Sequence, residues 1–229
     1  MTAPSISSCN AMPKKRVAVL ISGRGSNMAA LIEAAKAPDY PAEITLVLSN
    51  IADAGGLDTA RKNGIETAVV DHKAFGKDRA AFDRALHAVL VAHNIELVCL
   101  AGFMRILTPE FVGRWNERLL NVHPALLPAF KGLDTHKRVL EARAKLHGAT
   151  VHFVVPEMDA GPIIMQGAVV VKDDDTEAAL AARVLKVEHT IYPASLKLVA
   201  EGRVTVVDGH CMIDGIAVPN ADALEPVAQ

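Results

Sequence analysis

Residues 16–27 read RVAVLISGRGSN, and this stretch decides the fold. The β-branched run over 16–22 stops at Gly23, and an Ala-, Leu- and Met-rich segment over 26–36 follows. That order predicts strand, glycine-rich turn, helix. Working outward, the alternation repeats: 43–49 as strand, 55–63 as helix closed by Gly64, 66–70 as strand, 77–93 as a longer helix, 97–101 as strand. Strands separated by helices of this length pair in parallel through right-handed crossovers. The expected fold class is therefore α/β: a single-domain, Rossmann-like, open and mostly parallel sheet with helices on both faces. Beyond residue 149 the style changes. Residues 150–155 and 163–171 are strand-like and joined by the short stretch 156–162, which predicts an antiparallel closing pair. A final helix is expected over 176–201, and a small hairpin over 203–216 around Asp208-Gly209.

Composition agrees with one core. The chain has 229 residues, 51% of them hydrophobic but only 4% aromatic, so the interior is built from Val, Leu, Ile and Ala, as in a sheet buried on both faces. The 24 Lys and Arg nearly balance the 26 Asp and Glu. No global field favours nucleic acid or an acidic membrane, and any anion must be held locally. Cys9, Cys99 and Cys211 are odd in number and far apart, which suggests neither a disulfide framework nor a metal knuckle. No stretch approaches the roughly 20 apolar residues of a membrane span. Residues 1–12 lack the apolar centre of a signal peptide. The expectations are a cytoplasmic protein with a flexible N-terminal extension over 1–15, one domain over 16–216 and a tail over 217–229, unstructured from 219 onward.

In an open α/β sheet, ligands bind beyond the carboxyl ends of the strands, so the turns after Leu20, Leu48, Leu100 and Leu120 are where chemistry is expected. The first is Ser22-Gly23-Arg24-Gly25-Ser26-Asn27, whose glycines let backbone amides approach an anion at a helix N-terminus. It lacks the third glycine of a dinucleotide loop and the lysine of a Walker loop, which leaves a monophosphate. The same amides equally serve a tight turn capped by Ser26. The last is NVHPALLP, 121–128, where two prolines exclude a helix. Asn121 and His123, two apart in an extended segment, share a face. Asn121 offers a hydrogen-bond donor for a developing oxyanion; His123 offers a group able to supply or relay a proton. Asp159, in the turn MDAGP over 158–162, is a candidate acidic partner. A turn histidine bonded to backbone and a turn-forming aspartate are the alternatives. The nine histidines contain no HExxH and no cysteine pairing, so no metal is expected.

The string NVHPALLPAFKGLDTH over 121–136, with SGRGSN at 22–27 and AGFMRIL at 101–107, closely resembles the phosphoribosylglycinamide formyltransferases. The likeness runs from about residue 16 to at least 193. It implies a catalytic trio of Asn121, His123 and Asp159. It implies a ribonucleotide site at Gly25, Ser26, Asn27 and Glu188, and a folate pocket at Arg79, Met104, Arg105, Ile106, Leu107, Val155, Pro156, Glu157 and Met158, with Met104, Ile106 and Leu107 lining an apolar cleft. The ribonucleotide half falls at about 16–100 and the folate and catalytic half at about 101–200. The implied reaction passes the formyl group of 10-formyltetrahydrofolate to the amine of glycinamide ribonucleotide, with the folate as co-substrate, no metal, no nucleic acid or membrane partner, and a monomer or homodimer. Ala125 stands where Ser is usual, Lys131 where Pro often precedes Gly132, and Asp134 where His is frequent; all three flank the trio.

Formyltetrahydrofolate hydrolases resemble the same Asn and His segment but carry an additional N-terminal domain, for which a first strand near Arg16 leaves no room. Methionyl-tRNA formyltransferases carry a C-terminal RNA-binding domain, and the segment after Gly202 is too short and not basic enough to be one. A binding-only module would have no chemical use for Asn121, His123 and Asp159 together.

Overall fold

A computed structural model describes residues 13–218. The expected tail over 219–229 and residues 1–12 of the expected extension lie outside them. Seven strands form one sheet in the order β3-β2-β1-β4-β5-β6-β7. The parallel part is β1 (Lys15–Ile21), β2 (Ala42–Ser49), β3 (Glu66–Val69), β4 (Leu97–Leu100) and β5 (Leu119–His123), and the antiparallel closing pair is β6 (Leu146–Phe153) and β7 (Ile163–Val170).

Strand β1 shows why the sheet is buried on both sides. Val17, Val19 and Ile21 face one way and Ala18 and Leu20 the other, and all five are fully buried. The first set packs with Met28 and Leu31 of α1 (Ser26–Ala35) and with Leu180, Val184 and Tyr192 of α6 (Glu177–Ala200); Leu57 of α2 (Gly55–Lys62) joins that layer. The second packs with Phe82 and Leu86 of α3 (Arg79–Ala92) and with Phe111 of α4 (Pro109–Arg114).

Several boundaries differ from the sequence reading. Helix α3 starts at Arg79 because Asp78 caps it, accepting from the Ala81 N–H, and a 3-10 turn over His72–Phe75 precedes it. Strand β6 occupies Leu146–Phe153 rather than 150–155: its register runs from Leu146 opposite Val170 to Phe153 opposite Leu120, which leaves Val155 in the following loop. Asn121 and His123 are the last residues of β5 rather than of a turn after Leu120. Helices α4 and α5 (Thr135–Glu141) were not anticipated. The expected hairpin is present as β8 (Val204–Val207) and β9 (His210–Ile213), and β10 (Ile216–Ala217) adds a third strand. The Val218 N–H bonds to Cys211 O, so pairing continues two residues into the segment expected as tail.

The chain builds β1, β2 and β3 in one direction and then returns to place β4 on the other side of β1. The crevice at that reversal, above the carboxyl ends of β1 and β4, is where an open sheet of this kind receives a ligand.

Candidate active site

A cleft of about 340 Å³ opens at the reversal, lined by Ser22, Gly23, Arg24, Gly25, Ser26 and Asn27 from the glycine loop and by Ala101, Gly102 and Met104 from the segment after β4. The two walls are tied together, because the Ser22 hydroxyl accepts the Met104 N–H at 2.7 Å and lies 2.6 Å from Asn50 Oδ1. Gly25 takes a left-handed φ of 72° as the N-cap residue of α1, which lets the chain turn sharply and present its amides. Gly56 is needed for another reason: its N–H bonds Gly23 O at 3.0 Å, and an added Cβ would lie 3.1 Å from that same oxygen.

Behind the loop, Asn27 Nδ2 donates to Glu188 Oε2 at 2.5 Å, and both residues are buried. Burial pushes the Glu188 carboxyl above the usual glutamate range, while the Asn27 bond and the charge of His123 pull it back. Asn27 Oδ1 is buried with no partner among the described residues, an acceptor beside the cleft.

Strand β5 carries the second cluster. His123 is 5% exposed; its Nε2 meets Phe130 O at 3.0 Å and its Nδ1 lies 3.5 Å from Asp159 Oδ2. Both neighbours can only accept hydrogen bonds. Asp159 reaches His123 because residues 156–161 fold back over the sheet edge: Asp159 has a φ of 52°, and its Oδ2 also accepts the Gly132 N–H at 2.8 Å.

Asn121 Nδ2 meets His152 Nε2 at 3.3 Å across the β5–β6 ladder, and His152 Nδ1 meets Phe153 O at 2.8 Å. Since Nδ1 must donate to that carbonyl, Nε2 accepts from Asn121, whose amide nitrogen has a second N–H to offer. Burial lowers the His152 pKa, against the Phe153 carbonyl bond and the Asp159 charge, so the neutral form this arrangement requires is favoured. His152 was missed by the sequence reading, although its strand-like neighbours and the expected antiparallel pairing were in view. Thr150 was missed as well: its buried hydroxyl donates to Ala125 O at 2.6 Å and accepts the Leu127 N–H at 3.0 Å, holding the turn after His123.

The remaining expected residues differ in exposure and contacts. Arg79 donates to Ile106 O at 2.9 Å. Met104, Ile106 and Met158 are exposed, and Arg105 is half-buried between Met104 and Ile106. Leu107 departs from the expectation of an apolar cleft wall: it is 7% exposed and packs in the core layer of Phe82 and Phe111, because successive side chains of the 104–107 segment face opposite ways. Val155 is half-buried, Pro156 and Glu157 are exposed, and Glu157 lies 3.5 Å from Lys131 Nζ. Ala125 is fully buried, and Asp134 holds the left-handed position before α5. Among the described residues no group of three or more His, Cys, Asp or Glu is placed to hold a metal ion, and no helix is long and apolar enough to cross a membrane.

An amide-lined loop, a buried carboxyl and an Asn, His and Asp cluster on an open α/β sheet define an enzyme of the group-transfer class. The chain belongs to the formyl transferase family, which it matches over residues 15–196. It is 44% identical over 203 residues to the phosphoribosylglycinamide formyltransferase of Escherichia coli (strain K12), covering 89% of this chain and 95% of that one. It is 53% identical over 193 residues to the trifunctional purine biosynthetic protein adenosine-3 of Bos taurus; that match takes in 84% of this chain, which spans 19% of the relative's length. Among solved structures, glycinamide ribonucleotide transformylase 1 from Symbiobacterium toebii superposes with a TM-score of 0.85 at 42% identity, covering 87% of this chain and 94% of that one. A formyltetrahydrofolate deformylase from Pseudomonas syringae gives 0.82 at 27% identity, covering 89% of this chain and 67% of that one.

Proposed function

We propose that this protein transfers the formyl group of 10-formyltetrahydrofolate to the amine of glycinamide ribonucleotide, giving formylglycinamide ribonucleotide and tetrahydrofolate. The observation that carries the reading is the cluster in which Asp159 lies 3.5 Å from His123 and 3.9 Å from His152, the ring that Asn121 meets across the β5–β6 ladder. The ribonucleotide phosphate lies on the amides of Gly25, Ser26 and Asn27, with Glu188 toward the ribose or amine. The folate occupies the rim of Arg79, Met104, Arg105, Ile106 and residues 155–158, with Leu107 supporting that rim from below.

The uncharged amine attacks the formyl carbon. Negative charge then grows on the formyl oxygen, where the free N–H of Asn121 and the imidazolium of His123 receive it. The Nε2–H that Phe130 O accepts exchanges to this oxygen, while Asp159 holds the ring from the other side. The amine proton passes to the departing folate nitrogen, and no bond to the enzyme forms. Placing two substrates in line supplies much of the rate, since effective molarities of about 10⁵ M are reached by positioning alone. The formyltransferase domain over 16–216 works in the cytoplasm as a monomer or homodimer on these small molecules, without metal, nucleic acid or membrane.

The likeness to a deformylase supports a second reading, in which water takes the formyl group. Deformylation of 10-formyl-5,8-dideazafolate, followed by absorbance with and without glycinamide ribonucleotide, separates the two. Release that requires the ribonucleotide supports transfer; equal release without it supports hydrolysis; no release in either mixture removes both.

A further inference from the structure

Helix α6 carries Glu188 and Tyr192 four residues apart and therefore on one face. Glu188 clasps Asn27 behind the glycine loop. The Tyr192 hydroxyl, one turn further on, lies 3.0 Å from Leu100 O and 3.2 Å from Leu120 O. These carbonyls stand where β4 and β5 part: the last pair in their register is Leu100 with Asn121. Beyond it the chain from β4 turns away to form the Ala101, Gly102 and Met104 wall of the cleft, while β5 runs on to His123.

Tyr192 and Leu120 are fully buried. A Phe would fill the same apolar space, so the phenol is explained only by what its oxygen does. Burial raises the hydroxyl's pKa well above its ordinary value, which keeps it a donor. One proton shared between two strand carbonyls closes the point at which the sheet splits.

We infer that Tyr192 is a positioning residue for formyl transfer: its hydroxyl locks the ends of β4 and β5 to α6, fixing the Met104 wall and the Asn121–His123 edge at a set distance from the Asn27–Glu188 clasp. The inference rests on the proposed function, because the distance matters only if an amine held by one half must meet a formyl carbon held by the other. The remaining tyrosine supplies the control. The Tyr40 hydroxyl donates to Pro193 O at 2.7 Å, bonding the same helix one residue further on rather than the Leu100 and Leu120 carbonyls.

The experiment compares the parent, Tyr192→Phe and Tyr40→Phe in ribonucleotide-dependent deformylation of 10-formyl-5,8-dideazafolate, with melting temperatures measured alongside. Tyr192→Phe loses the hydroxyl shared between two buried carbonyls and Tyr40→Phe one part-buried bond, and each is expected to melt a few degrees lower. Tyr192→Phe is expected to lose about tenfold to a hundredfold in kcat, with KM for glycinamide ribonucleotide within about twofold of the parent, as for a misplacement of reacting groups by a fraction of an ångström. Tyr40→Phe is expected to keep the parental kcat. A Tyr192→Phe enzyme with parental kcat overturns the inference and leaves the proposed function standing, and so does an equal loss of kcat in both variants, which would mark general loosening. A parent that shows no ribonucleotide-dependent release overturns the proposed function and the inference together.

Discussion

Asp159 Oδ2 lies 3.5 Å from His123 Nδ1 and accepts the Gly132 N–H at 2.8 Å. One carboxylate oxygen thus faces the imidazole and holds the Gly132 loop, so the charge beside the ring also sets the shape of the wall around it. Asp159→Asn keeps an acceptor for Gly132 and removes the charge. We expect kcat to fall by about a hundredfold or more, the scale of a lost acid–base partner, while calorimetric affinity for glycinamide ribonucleotide stays within about threefold. A loss confined to affinity would move Asp159 from the chemistry to substrate binding.

Gly161 tests how that loop is held. A Cβ there would sit 1.8 Å from Phe153 O and 3.3 Å from His152 Nδ1, and the oxygen belongs to the end of β6, which cannot give way cheaply. Gly161→Ala is therefore expected to displace the turn two residues from Asp159, costing about 1–3 kcal/mol of stability and about a hundredfold in kcat. Gly113→Ala, in α4 with nothing within 4 Å of its added carbon, is expected to gain a few tenths of a kcal/mol and keep full activity. Parental kcat in Gly161→Ala would show that Asp159 tolerates movement of its loop.

These two residues also show what could be read from the sequence. The 16–27 segment was legible because strand period, glycine turn and helix composition agree locally. That Asn121 and His123 share one extended segment was legible, because proline punctuation and two-residue spacing need no tertiary knowledge. The reach of Asp159 to His123, thirty-six residues apart, could be named only as a candidate pairing, since it depends on the register of β6 against β5 and on the close approach of Gly161 to Phe153. His152 escaped for the same reason: it enters the site through the cross-strand pair with Asn121 and the approach of Asp159 to its Nε2. Leu107 was grouped with Met104 and Ile106 by the family resemblance, whereas its side chain packs in the core layer of Phe82 and Phe111. Helix α4 did carry a signal, a Thr108 cap that accepts from Phe111 N–H followed by Pro109 at the first turn, but six residues are too few to show a helical period.

His147 gives a pH prediction. Its Nε2 lies 3.0 Å from His136 Nδ1, so the pair shares one proton. Burial, then His136 and His123, push His147 from the ordinary 6.5 down to about 4. A histidine whose pKa falls on folding adds stability above its unfolded value, and that stability is lost as pH drops through the folded one. The melting temperature is expected to fall as pH goes from 6.5 to about 4, and His147→Gln is expected to flatten that part of the profile. Parallel profiles for parent and variant would place the acid sensitivity elsewhere.

Glu188 should behave in the opposite sense. Its carboxyl is buried against Asn27 and raised above the usual glutamate range by that burial. An acid raised on folding favours the folded state at low pH and costs stability as pH climbs through its raised value. Glu188→Gln keeps the side-chain shape and an oxygen for the Asn27 amide but removes the buried charge. The variant is therefore expected to melt higher than the parent at pH 8, with the gap closing toward pH 4. Catalysis should move the other way. A hydrogen bond to a charged acceptor contributes about 1.5–3 kcal/mol, so loss of the charge is expected to raise KM for glycinamide ribonucleotide by about tenfold or more. A variant that melts higher at pH 8 yet binds the ribonucleotide as the parent does would confine Glu188 to supporting the loop. One that melts lower at every pH would show that the Asn27 clasp needs the charge it buries.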